Sequence, residues 1–251
     1  MTIIETIPLQ GLSSRVGGFT TTRLGGCSEG VYASLNLGDH VDDLPTRVQE
    51  NRRRLAELLP SEPIWMEQVH GTCVVDVANL DAQQRPQADG LLTSTPGQVL
   101  AVLTADCLPI VLADDAGQLL AVVHAGWRGL AAGVLQNAVW VMQQKVGALG
   151  PWRAWIGPCI SGSAFQVGQE VRLAFVENRP ALAGAFKPDD TPLKWRCDLP
   201  AIAHHILLEL GARHVQSSGL CTVFDGANRF FSYRRDGQTG RIATVAWLTQ
   251  N

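Results

Sequence analysis

No stretch of this 251-residue sequence approaches 18 uninterrupted apolar residues, so a membrane-crossing helix is not expected. The first ten residues, MTIIETIPLQ, lack a basic start followed by a long apolar run, so they do not read as a secretory signal. No Cys-x-x-Cys pair occurs among Cys27, Cys73, Cys107, Cys159, Cys197 and Cys221. Without an export signal, the expectation is reduced thiols, some of them available as ligands or nucleophiles. No basic patch of the kind that grips nucleic acid or a membrane surface is present. Arg52, Arg53 and Arg54 are adjacent, but Glu50 and Glu57 flank them, and the net charge is -3. No low-complexity tract, linker or repeat of 20–50 residues divides the chain. These absences lead to one expectation: a single domain over 1–251, cytoplasmic, with no nucleic-acid or membrane partner and with its oligomeric state open.

What is present is a hydrophobic content of 46%, enough for a sizeable core. Residues 12–38 are rich in Gly, Ser and Thr and read as short strands and loops. Residues 45–59, with Pro near the start and Val48, Leu55, Leu58 and Leu59 apolar, predict a helix. Residues 64–78 predict two short strands around a turn at His70–Gly71. The runs 99–104, 108–113 and 118–124 are apolar almost without interruption, which predicts strands covered on both faces. Wide apolar stripes predict helices over 127–146 and 199–211, ended by Gly147 and Gly211. A last strand is expected over 242–248. Strands and helices alternate irregularly, which points to an α/β or α+β layered domain with a mixed sheet.

The chemistry concentrates in residues 104–129, TADCLPIVLADDAGQLLAVVHAGWRG. Asp114-Asp115-Ala116-Gly117 is a turn signal between two apolar runs. If it closes a hairpin with Ala113 facing Gln118, Cys107 falls opposite His124. Directly opposed residues have Cβ atoms about 4.5–5.5 Å apart, close enough to share an ion. His124 also ends a strand that feeds a helix start at Gly126, a place where ligands collect and where backbone N–H groups can receive an anion. His70, at a sharp turn, is the best third ligand. Two histidines and one cysteine leave one tetrahedral position open, which is the pattern of a catalytic zinc site. Asp106 precedes Cys107 and is a candidate acid/base or supporting group.

Taken singly, a cysteine at a strand end is often a small buried hydrophobe, and a histidine beside Gly is often a turn residue. His204 and His205 are adjacent on a helix, cannot share a face, and read as surface residues. Cys159, in Gly157-Pro158-Cys159, reads as a buried turn residue or a thiol near the site. Groups suited to a polar or anionic substrate are Arg23, Asn36, Arg47, Arg52, Arg128 and Arg234. Tyr233 and Arg234 lie in the polar–aromatic stretch Phe231–Gly237.

Gln68-Val69-His70-Gly71, Ala105-Asp106-Cys107, His124–Gly129, Gly157-Pro158-Cys159-Ile160 and Phe231–Arg235, in this order, resemble the laccase-domain family of bacterial proteins. The resemblance spans nearly the whole chain. It implies a layered αββα fold with mixed β-sheets and a metal held by His70, Cys107 and His124. It also implies phosphorolysis of adenosine, inosine and methylthioadenosine, and deamination of adenosine. Other members are described as polyphenol oxidases or as peptidoglycan editing factors. On chemistry, an array of several coppers needs many histidines, and this chain has six. The expectation is therefore a zinc-dependent purine nucleoside phosphorylase and adenosine deaminase, with copper able to occupy the same site. Cys107, His124 and Asp106 are its expected catalytic groups, and Asn36, Arg47, Arg128, Tyr233 and Arg234 its expected substrate contacts. The alternatives are a Cys–His hydrolase acting on cell-wall precursors, with Cys107 as nucleophile and His124 as base, or a copper-dependent polyphenol oxidase.

Overall fold

A computed structural model describes residues 3–81 and 84–250 of the chain. Its architecture is mixed α/β, with layers that follow from the apolar runs. A six-stranded sheet is built in the spatial order His214–Ser217, Trp152–Ile156, Leu108–Asp114, Leu120–Ala125, Gly90–Thr93 and Val74–Asp76. The two edge pairs are parallel and the inner ones antiparallel. A four-stranded antiparallel sheet is formed by Thr6–Pro8, Val16–Thr21, Ile242–Leu248 and Leu100–Thr104. A small three-stranded sheet (Gln166–Gly168, Lys194–Cys197, Phe186–Pro188) stands apart from both.

Strand periodicity sorts the side chains into layers. Leu108, Ile110 and Leu112, with Ala121, Val123 and Ala125, turn toward helices Val134–Val146, Gln169–Val176 and Leu199–Glu209 and form the largest core. Val111, Ala113, Leu120 and Val122 turn the other way and meet Leu100, Val102, Ala246 and Leu248 of the four-stranded sheet. That sheet's outer face, carrying Ala101, Leu103, Ala243 and Val245, is covered by Leu35, Leu37 and Leu55, the last from helix Pro45–Ala56. Helix, sheet, sheet and helix are thus stacked, as the resemblance implied. The central strands are buried along their whole length, which is why their sequences barely alternate.

Three local expectations are corrected. The hairpin register pairs Ala113 with Leu120 and Leu108 with Ala125, so it lies two residues from the predicted one. The cause is Asp114, whose Oδ1 accepts from both Gln118 N and Leu119 N at 2.7 Å and so widens the turn. Residues 64–69 make isolated bridges, Ile64 with Leu100 and Glu67 with Gln87, and only Val74–Asp76 forms the expected strand. The helix expected over 127–146 is two helices, Trp127–Ala132 and Val134–Val146, divided at Gly133, whose φ of 100° breaks the helical path. The strand Ile242–Leu248 lies where it was expected. Among the described residues, no helix is long and apolar enough to cross a membrane.

Candidate metal centre

The register slip does not scatter the predicted ligands, because a shift of two residues keeps every side chain on its face. His124 follows Val122 and Leu120 into the layer between the sheets, and the Cys107 position continues the Val111–Pro109 row on the neighbouring strand. His124 pairs directly with Pro109, so Cys107 reaches it diagonally rather than from opposite. His70 arrives from a separate loop. The donor atoms of His70, Cys107 and His124 all lie within 4.8 Å of one another, and Cys107 Sγ is 4.0 Å from His70 Nε2. The two imidazole rings meet edge to face, with centroids 4.8 Å apart.

One buried carboxylate organises both histidines. Asp89 is fully buried, and its Oδ1 accepts from His124 Nδ1 at 2.8 Å, leaving Nε2 to face the cluster. The same carboxylate accepts from His70 N at 3.0 Å and from Gly71 N at 2.6 Å. Those bonds hold His70 at a φ of 59°, a conformation that a non-glycine residue adopts only when its surroundings impose it. Gln68 fixes the start of that loop. Its side chain exchanges two 2.8 Å bonds with the backbone of Leu103, doing at the edge of the four-stranded sheet what a paired strand would do. Asp89, Gln68 and Arg241 were absent from the sequence-derived site. For Asp89 the signal was a lone acid just ahead of an apolar strand, which spacing does not distinguish from a surface turn.

Gly126 and Gly129 explain the glycines in His124–Gly129. A Cβ at Gly126 would stand 2.9 Å from His70 Cδ2 and 3.1 Å from Cys107 Sγ, and one at Gly129 would stand 2.7 Å from Gly71 O. Glycine at both positions lets the helix start close onto the ligand loop.

The electrostatics couple Cys107 and His124. Burial alone would raise the Cys107 thiol, but charge and hydrogen bonding from His124, with a further contribution from His70, outweigh it and bring it down to about 6. Burial opposes protonation of His124, yet the Cys107 thiolate and the Asp89 carboxylate carry it up to about 9. Two imidazoles and an acidified thiol, with one imidazole oriented by a carboxylate, are a fitting donor set for a divalent ion such as zinc, and the cluster can hold one.

Asp106 supports the site and leaves no free oxygen. Its Oδ1 accepts from Thr222 Oγ1 at 2.6 Å and its Oδ2 from Arg234 N at 2.7 Å, at a φ of 93°. It thereby ties the Cys107 loop to the short helix Tyr233–Asp236. A cavity of about 360 Å³ opens over the cluster. Trp127, Ile160, Phe165, Leu199 and Tyr233 give it apolar wall, and His40, Arg234, Arg241, Gln68 and Thr104 give it polar wall.

Of the expected substrate contacts, Tyr233 and Arg234 line this cavity, while Asn36, Arg47 and Arg128 do not. Asn36 is fully buried and spends its amide on Gly38, Asp43 and Arg241 N, because it braces the chain there. Arg47 pairs with Glu29 at 2.8 Å. Arg128 is exposed and stacks over Trp127 from outside. Arg23 stacks on Phe231 and Arg52 on Trp65, each bonded to a backbone carbonyl. Cys159 is buried with a free thiol, and its backbone pairs with that of Cys221 in an isolated parallel β-bridge, while its neighbour Ile160 lines the cavity. His204 is exposed and His205 pairs with Glu209 at 3.1 Å, away from the cluster.

Residues 18–249 match the family model described as multi-copper polyphenol oxidoreductase laccase. A purine nucleoside phosphorylase of Pseudomonas aeruginosa is 44% identical over 94% of each chain. Purine nucleoside phosphorylase YfiH of Escherichia coli is 42% identical over 93% of this chain and 94% of its own. A Neisseria meningitidis protein of known crystal structure superposes with a TM-score of 0.90 at 41% identity, covering 98% of this chain and 99% of the other.

Proposed function

The chain belongs to the multi-copper polyphenol oxidoreductase laccase family, and from that premise we propose that it is a metal-dependent purine nucleoside phosphorylase. The observation that carries the reading is the convergence of His70, Cys107 and His124 on one cavity of nucleoside size, in a chain whose close relatives bear that activity in their names. The family's descriptive name does not transfer to the chemistry. Several coppers need several donor clusters, and among the described residues only one group of three donors exists. We take the ion to be zinc, which suits two nitrogen donors and one sulfur with a fourth position open; copper(II) binds such donors tightly and is able to replace it.

A divalent ion held there supplies Lewis acidity. The chain's own groups do the rest. Asp89 keeps the His124 proton on Nδ1 and so keeps Nε2 turned to the cavity. Trp127, Phe165 and Tyr233 offer apolar and aromatic surface to a purine, and Arg234 offers a cation to a polar substituent or to phosphate. In phosphorolysis a phosphate oxygen bonds to the anomeric carbon of ribose as the bond to the purine breaks. The electron pair leaves with the base, which takes up a proton. Adenosine, inosine and methylthioadenosine are the proposed substrates, and deamination of adenosine, in which water replaces the amine and ammonia leaves, is a second proposed activity. The proposed enzyme is one domain, with cavity walls drawn from His40 to Arg241, and works in the cytoplasm, where its six free thiols stay reduced.

One observation favours a second reading. Asp89, His124 and Cys107 stand in the order of a carboxylate–imidazole–thiolate nucleophile, and Cys107 is acidified. A Cys–His hydrolase acting on an amide of a cell-wall precursor would use them so. His70 weighs against it, being a third donor that such a nucleophile does not need. The test is incubation of protein of measured metal content with adenosine, with and without phosphate. Adenine and ribose 1-phosphate support the proposal, inosine alone supports only the deaminase part, and no change with either sinks it.

A further inference from the structure

Arginines in this chain are mostly neutralised. Arg85 meets Asp39 at 2.6 Å, Arg153 meets Asp115 at 2.6 Å and Arg229 meets Asp225 at 2.8 Å, and Arg47, Arg52, Arg53, Arg54 and Arg235 are paired likewise. Arg241 and Arg234 differ. Neither has a carboxylate oxygen within 4.0 Å among the described residues, and both line the cavity above the metal centre.

Arg241 is held rigidly by half of its guanidinium. Nη1 donates to Thr239 O and Gly240 O, each at 2.9 Å, while Nε and Nη2 have no acceptor among the described residues. Burial pushes this guanidinium below its usual range, against the acidic pull of Cys107 and Asp106, so water does not solvate it as it would at the surface. Arg234 is fixed by Nη1 on Gln166 O at 2.8 Å and stands over the Phe165 ring.

A second observation comes from Thr104. It is 1% exposed, lines the cavity, and its Oγ1 has no hydrogen-bond partner, one of three buried side-chain atoms so left among the described residues. It follows Leu100 and Val102 into the layer between the sheets, and its strand partner is Ile242, next to Arg241. Leaving a buried hydroxyl without a partner is costly, and at a cavity wall a bound ligand can supply the missing bond.

We propose that Arg241, with Arg234 and the Thr104 hydroxyl, forms the subsite for inorganic phosphate beside the metal centre, an inference that rests on the phosphorolytic reading above. A phosphate has the oxygens to take the free Nε–Nη2 edge of Arg241 as a fork and to accept from Thr104, and it carries the negative charge that a purine base lacks. Ile160, Phe165 and Leu199, which come from outside the four-stranded sheet, leave the apolar wall to the purine.

The experiment uses full-length, metal-loaded protein and inorganic phosphate, with variants Arg241→Met, Arg241→Lys and Thr104→Val. Methionine keeps the apolar stem against Gly38 and removes the charge. The KM for phosphate is expected to rise at least about ten-fold in Arg241→Met while the KM for the nucleoside moves less than about three-fold, with part of the loss recovered in Arg241→Lys. Phosphate is expected to raise the Tm of the wild type and not of Arg241→Met. Thr104→Val is expected to raise the Tm without phosphate and to weaken phosphate binding several-fold. An unchanged phosphate KM and an unchanged phosphate-induced Tm shift in Arg241→Met overturn the subsite, as does a wild type whose Tm ignores phosphate. If Arg241→Met does not fold, unchanged phosphate binding in both Arg241→Lys and Thr104→Val overturns it. A wild type that shows the Arg241-dependent Tm shift but no phosphorolysis keeps the subsite and removes the phosphorylase reading. A wild type that phosphorolyses with Arg241→Met unaffected does the reverse.

Discussion

The Asp89 carboxylate accepts the His124 Nδ1 proton at 2.8 Å and, through the same two oxygens, the backbone N–H groups of His70 and Gly71. One side chain therefore sets the ring orientation of one candidate ligand and the backbone conformation of another. Asp89 and His124 are both buried, so water cannot replace either partner.

Replacing Asp89 is expected to separate metal affinity from the ligands themselves. Asp89→Ala keeps His70, Cys107 and His124, yet the ion's affinity should fall about 10–100-fold, read by competition with a chelator. Breaking the buried pair should also cost about 3–5 kcal/mol of stability in denaturant unfolding. Unaltered chelator competition would show that His124 is oriented by something else.

Cys107→Ala tests whether the metal is catalytic or structural. A catalytic ion predicts a folded protein with unchanged far-UV circular dichroism, substoichiometric metal and no turnover. A structural ion predicts loss of the cooperative unfolding transition.

The coupled titration gives the metal affinity a pH dependence of known sign. With Cys107 near 6 and His124 near 9, the pair holds two protons below pH 6, one between 6 and 9, and none above. Binding an ion must displace them. The pair's share of the slope of log K against pH should be near 2 below pH 6, near 1 up to pH 9, and flat beyond, measured by metal titration in buffers of different ionisation enthalpy. For the metal-free fold the two contributions oppose each other. The lowered Cys107 stabilises at high pH, and that contribution is lost as pH falls through 6. The raised His124 stabilises at low pH, and its contribution is lost as pH rises through 9. They offset each other over most of the interval, so chelator-treated protein should unfold at nearly constant denaturant concentration from about pH 6.5 to 8, below the range in which the raised Cys159 and Cys197 thiols begin to weaken the fold.

Gly126→Ala is expected to disable the centre without touching a ligand. The added Cβ meets His70 Cδ2 at 2.9 Å and Cys107 Sγ at 3.1 Å, so one of the two must move. Overpacking of this kind costs about 1–3 kcal/mol. Metal content per chain should fall further than in Arg128→Ala, whose side chain is exposed on the far side of Trp127.

Much of the layering was legible because apolar runs report burial on both faces: 99–104 and 108–113 became strands with their boundaries displaced by no more than one residue. The convergence of the three candidate metal ligands was legible for a more forgiving reason. The hairpin register was wrong by two, and period-two geometry returned Cys107 and His124 to the same face. An error of one would have lost the site. What spacing did not carry was long-range bonding between residues distant in sequence. Asn36 looked like a substrate contact and is a brace for Arg241 N, 205 residues away. Asp89 and Arg241 carry no spacing signal of their own, and only the folded sheet brings them to the centre.

Asp106 was expected to be either a catalytic acid or base or a supporting group, and its two bonds decide how to test which. As a tether it accepts at Oδ1 from a hydroxyl, Thr222 Oγ1, and at Oδ2 from a backbone N–H, Arg234 N. Asparagine can keep both, turning its NH2 to Thr222, whose hydroxyl can accept as well as donate, and its oxygen to Arg234. Asparagine also tolerates the positive φ at this position. Asp106→Asn should therefore retain turnover within about five-fold, while Asp106→Ala leaves the Arg234 N–H unpaired, costs about 1–3 kcal/mol and frees Tyr233–Arg234 from the cavity wall. An acid/base role predicts the opposite for asparagine, a loss of about 100-fold or more with the protein intact. Turnover of Asp106→Asn at saturating nucleoside and phosphate separates the two, and a loss as deep as that of Asp106→Ala would end the tether account.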